Sequence, residues 1–181
     1  MMKRALIAVA CACTMGLSVP ASAQDAELAC VPALVGPVVS QALVDDLLAD
    51  VGMGDGTSID YQPVLNDAAL KCILEHSVPE AAMDNYIEGS IAAIALPLLR
   101  EQLVGTSFPL AMAQDVSKAM QADPSLDVDA YVESHPSGIN EEIERAALES
   151  GIPSEHVMVL IGTYVAIEAM YVGARAELSS N

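Results

Sequence analysis

The stretch VMVLIGTYVAIEAMYVGA, residues 157–174, decides the fold. Along it only Thr163, Tyr164, Glu168 and Tyr171 carry polar side-chain atoms. A helix this apolar on every side is either the centre of a bundle or a membrane span. Gly162, Ala166, Ala169, Gly173 and Ala176 recur every three or four positions, so they share one stripe where a neighbouring helix is expected to approach closely. Leu160, Ile161, Tyr164, Ile167 and Tyr171 take the opposite side. A carboxyl at Glu168 is costly in hydrocarbon, and amphipathic segments upstream are able to wrap the helix. The sequence therefore favours a buried helix over a span.

The upstream segments carry helical periodicity. Val35, Val39, Leu43 and Leu47 fall one per turn and predict a helix over 37–51, which the glycine-rich Gly52-Met53-Gly54-Asp55-Gly56 turn breaks. A second helix is predicted from Asp60 to His76, with Pro63 in its first turn. Ser77-Val78-Pro79-Glu80 has capping-box spacing and predicts a third helix through Ile87, Ile91 and Leu98, which Pro97 is expected to kink or end. Further helices are predicted over 107–122, briefly over 124–132, over 141–150 behind an Asn140 cap, and from Pro153 onward, with a loop at 135–138. Strand alternation is scarce. The expectation is one all-α domain over 24–181, a bundle of about six or seven helices around a buried C-terminal helix, with one disulfide.

Residues 1–23 read as an address. Lys3 and Arg4 precede an apolar run from Ala5 to Val19, Pro20 ends the run, and Ala21-Ser22-Ala23 is a small-x-small cleavage pattern. These parts in this order predict a secretory signal peptide, cut between Ala23 and Gln24. The run is short for a membrane anchor. The expected destination is a bacterial periplasm, with release from the cell as the alternative. Cys11 and Cys13 would leave with the peptide, so Cys30 and Cys72 remain as a pair in an oxidising compartment. A structural bridge between them would contribute about 4 kcal/mol on the chain-entropy model.

Composition removes several functions. The chain holds 25 Asp and Glu against 7 Lys and Arg, a formal charge of −18, which repels phosphate backbones and argues against nucleic-acid binding. With 53% hydrophobic residues it has enough apolar surface to fold, so disorder is not expected. No H-E-x-x-H, G-x-S-x-G or C-x-x-C-H motif occurs, and no cofactor is expected. Cys72 and His76 stand one helical turn apart as a two-ligand metal pair, but a disulfide would consume the thiol. Asp123, Asp127, Asp129 and Glu133 cluster without the Gly and Glu of an EF-hand, since Val128 and Ser134 stand at those places.

Glu168 is the polar residue that a buried helix must accommodate. It needs a partner, for which Arg100, Arg175 or a Tyr would serve, or else a raised pKa. Glu168, Tyr164 and Tyr171 are therefore the candidate buried polar or ligand site. Adaptable methionines such as Met83, Met112 and Met158 would suit a deformable groove. The leading expectation is a non-enzymatic exported helical protein that binds a protein partner or a small apolar ligand. The alternatives are a membrane-active or membrane-associated protein, and an enzyme without a recognisable motif, whose candidates are Glu168, Tyr164, His156 and His76.

Overall fold

The computed structural model describes residues 23–123, 128, 131, 132 and 136–179. Residues 1–22 of the predicted signal peptide, His135 and most of the acidic cluster (Asp127, Asp129 and Glu133) lie outside the described residues. Among those residues there is no strand. The helices are α1 (Ala23–Leu28), α2 (Cys30–Leu34), α3 (Pro37–Asp50), α4 (Gln62–His76), α5 (Met83–Gly105), α6 (Leu110–Ala122), α7 (Pro136–Ser150) and α8 (Ser154–Leu178).

Helices α5 and α8 form the most extensive pair. The α8 face made of Val157, Leu160, Ile161, Tyr164, Val165 and Ile167 is buried against Leu99 and Leu103 of α5, Val116 of α6 and Ile143 of α7. Burying each such side chain stabilises the fold by roughly 1.5–3 kcal/mol before entropy is counted. A second core joins Leu28, Val31, Leu43, Leu65, Ile73 and Tyr86. Helix α5 serves both, giving Leu99 and Leu103 to the first and Tyr86 and Ile94 to the second.

The small-residue stripe of α8 faces outward, contrary to the sequence expectation. Ala166, Ala169, Gly173 and Ala176 are exposed, and a Cβ added at Gly162 or Gly173 would meet nothing within 4 Å. The opposite face carries the larger aliphatic side chains, so turning that face inward removes more apolar area from water. Close approach occurs one residue further on. A Cβ at Gly89 of α5 would lie 2.6 Å from the Ala174 Cβ and 2.8 Å from Leu28 Cδ2, so only glycine lets the two helices meet there.

Two helix starts also differ from expectation, and of the two outcomes expected at Pro97 the ending does not occur. Ser77 does not open a helix. It closes α4 in the left-handed region at φ 54°, and the Val78 N–H returns to the Ile73 carbonyl at 3.0 Å. That six-to-one bond, with Val78 buried, is a Schellman ending, and α5 starts only after a 3-10 turn over Glu80–Ala82. Pro97 does not end α5, which runs through it. Pro97 is exposed, so its ring displaces no side chain of the core. Helix α7 begins at Pro136 instead of behind Asn140, because a proline fits a first turn whose N–H needs no partner.

The N-terminal arm is held at both ends. Cys30 and Cys72 are bonded, with Cα atoms 5.9 Å apart, which ties α2 to α4. Asp25 accepts from Arg175 Nε at 2.9 Å, which ties α1 to the last turns of α8. Asn85 donates to Glu177 and fastens the start of α5 to the same end of α8. The loop after α3 uses Gly52 and Gly54 at φ 83° and 114°, and its far side is fixed by the Thr57 N–H donating to Asp46 Oδ1 at 2.8 Å.

Candidate functional site

Tyr164 and Glu168 pair within α8. The Tyr164 ring is fully buried, and its hydroxyl donates to Glu168 Oε1 at 3.0 Å. Burial pushes the Tyr164 phenol up; the Arg100 guanidinium near it pulls the other way. Glu168 itself is half-buried, so it obtains a tyrosine partner without full loss of water. Tyr171 is drawn elsewhere, its hydroxyl donating to Asp25 Oδ1 at 3.4 Å, and Arg175 also turns to Asp25. The three predicted residues thus split into a Tyr164–Glu168 pair and a Tyr171–Asp25–Arg175 group. Tyr171, Asp25 and Arg100 border a shallow cleft of about 310 Å³ beside Pro97.

The remaining sequence candidates are dispersed over the elements. His76 ends α4, and His156 stands in the first turn of α8. The disulfide takes Cys72 out of any pair with His76. Among the described residues, no group of three or more His, Cys, Asp or Glu is placed to hold a metal ion.

A larger cavity lies elsewhere in the fold. Helices α2, α3, α4 and α5 enclose a cavity of about 450 Å³, within the range of small-ligand sites. Leu43, Leu65, Leu70, Ile73, Ile87 and Ile91 supply most of its wall, Gln62 and Asn66 stand at its exposed rim, and Ser90 lies at its base. Ser90 is 2% exposed, and its Oγ has no hydrogen-bond partner. The Tyr86 phenol one turn back donates to the Glu27 carbonyl at 3.1 Å. The two hydroxyls feel each other without meeting hydrogen-bond geometry: burial pushes the Tyr86 phenol up, and the Ser90 hydroxyl acts in the opposite sense. A buried hydroxyl left unpaired on an apolar wall is the exception in a folded protein. None of the sequence candidates borders this cavity. The one available signal was Leu70 and Leu74, which fall outside the α4 face set by Leu65, Ala69, Cys72 and Ile73 and are exposed.

The tyrosines have a consequence at high pH. Burial raises the Tyr61, Tyr86, Tyr164 and Tyr171 phenols above the ordinary value of 10.0. The unfolded phenols ionise near 10 while the folded ones hold their protons, so the stability they contribute is whole below pH 10 and is lost as pH rises through the raised values. Urea midpoints are expected to fall as pH climbs past 10, and less steeply in Tyr86→Phe than in the wild type. Equal slopes would assign that loss to groups other than Tyr86.

Compared with family models, with curated proteins and with solved structures, the chain matches none.

Proposed function

We propose that the chain is an exported, non-enzymatic binding protein that holds a small apolar ligand in the cavity between α2, α3, α4 and α5. The observation that carries the reading is the cavity itself: about 450 Å³ with a wall supplied mostly by aliphatic side chains, among them Leu43, Leu65, Ile73 and Ile91. An apolar occupant that fills this volume takes the aliphatic wall out of water. The leader over 1–23 and the Cys30–Cys72 bond support export into an oxidising compartment.

The membrane alternative draws on α8, which is long and apolar enough to cross a bilayer. Its inward face supplies Leu160, Ile161 and Tyr164 to the larger core, so insertion would dismantle the bundle. The binding reading needs no such cost.

Native mass spectrometry of the protein taken from the soluble periplasmic fraction tests the reading. The expected spectrum begins at Gln24, lacks the two hydrogens of one disulfide, and shows a population carrying extra ligand mass. Ala69 lines the cavity, so Ala69→Phe, which puts a ring into it, is expected to lose that mass. A wild-type spectrum as bare as that of Ala69→Phe overturns the binding reading.

A further inference from the structure

We propose that the surface between α4 and α5, at the mouth of the cavity, docks a basic amphipathic helix of a partner protein. Aliphatic side chains of that helix cover Leu70, Leu74 and Ile87, and its lysines or arginines meet Asp67, Glu75, Asp84 and Glu88. This inference goes beyond the small-ligand reading and does not rest on it, because Leu74 lies outside the cavity and a molecule held within leaves it in water. Leu70 and Leu74 stand one turn apart on α4 and are 61% and 79% exposed, and Ile87 of α5 is 38% exposed. Leu70 and Ile87 line the same cavity, so the three belong to one continuous apolar surface and are not scattered positions.

The walls select the form of the partner. Both sides of the mouth are helices, whose backbone groups are bonded internally, so an extended segment laid across it finds no strand edge to pair with. A helix brings its own backbone bonds and presents aliphatic anchors on one face. Charge selects the sign. Asp67 and Glu75 on α4 and Asp84 and Glu88 on α5 are exposed, and among the described residues none of the four forms an ion pair. Lys71 is the single Lys or Arg between Gln62 and Ile91. Lys118, Arg145 and Arg175 are already paired, with Asp115, Glu142 and Asp25. The apolar surface is thus bordered by carboxylates that the chain does not itself neutralise, and a formal charge of −18 draws a cation toward it while repelling a second copy.

Fluorescence anisotropy of a labelled synthetic peptide of about 14 residues, four helical turns with leucines on one face and lysines on the other, tests the proposal on the intact disulfide-bonded protein. The controls are a Leu–Glu peptide of the same pattern and a Leu–Lys peptide of the same composition whose leucines are scattered around the helix. The patterned Leu–Lys peptide is expected to bind at least about tenfold more tightly than either. Leu70→Ser/Leu74→Ser is expected to weaken it by at least about tenfold, and Asp84→Asn/Glu88→Gln by about threefold or more with a shallower salt dependence. Leu148→Ser, which removes a leucine 86% exposed on α7, leaves binding unchanged. All three variants replace exposed side chains, so their urea midpoints stay at the wild-type value. Equal binding of the scattered peptide, or an equal loss in Leu148→Ser, means attraction by net charge alone and overturns the proposal. So does a native mass spectrum of dimers, or co-sedimentation with phosphatidylcholine vesicles, that Leu70→Ser/Leu74→Ser abolishes, since each assigns the surface to another occupant. These readouts are separate from the ligand mass that tests the small-ligand reading, so either reading can fail alone.

Discussion

Reduction of the Cys30–Cys72 bond is expected to lower the unfolding free energy by about 4 kcal/mol, as is the double variant Cys30→Ala/Cys72→Ala. The bond closes a separation of 42 residues, and without it the unfolded chain regains the entropy of that loop. In a domain of this size the loss corresponds to a melting point lower by roughly 10 °C. The effect should reach the cavity, since the arm that the bond pins contributes Val31 to its wall and Leu28 and Val31 to the second core. Urea titrations with and without reductant read the stability, and retained ligand mass reads the cavity. A midpoint that reduction leaves in place would mean that the arm's packing and the Asp25–Arg175 pair hold it without the covalent tie.

Gly89→Ala is the second large effect, and its sign is diagnostic. By helix propensity alone, alanine in the interior of α5 should stabilise by about 1 kcal/mol. The contact geometry says the reverse. The new Cβ would sit 2.6 Å from that of Ala174, which is held by a packed helix and can yield only if α5 and α8 separate. Overpacking of this kind typically costs about 1–3 kcal/mol, and the pair it forces apart is the most extensive in the fold. Leu28 Cδ2, at 2.8 Å, is the end of a flexible side chain and can turn away. Adding Ala174→Gly to Gly89→Ala should therefore recover most of the loss, a coupling that a double-mutant cycle measures directly. A stabilising Gly89→Ala, or a cycle without coupling, would contradict the close approach.

Much of this fold was legible because the signals were local. Leu43 and Leu47 on one face, the Gly52–Gly56 turn, and the apolar 157–174 segment each announce an element within a few residues. The cysteine pair followed from counting once the leader was set aside. The failures share a cause, which is that the deciding partner is remote. Ser77 suits both a helix start and a left-handed stop, and the burial of Val78 against the second core selects the stop. Gly89 looks like a weak spot in a helix until Ala174 arrives beside it. The small stripe on α8 resembled a packing face, but the bulkier side chains opposite it took the interior. The cavity was least accessible of all. It exists because residues 62–73 and 87–91 do not close on each other, and no periodicity encodes the gap between two helices. Glu168 drew notice as a lone acid in an apolar run, whereas Ser90 is an ordinary residue whose interest comes entirely from having nothing to bond.

The pairing of α5 with α8 also bears on how the polypeptide is made. Ribosomes release a chain from its first residue onward at roughly 5–20 residues per second, so α5 emerges several seconds before the helix it must clasp. Arg175, the mate of Asp25, is made 150 residues after it. Until α8 arrives only the second core, whose buried residues all lie between Leu28 and Ile94, has its parts.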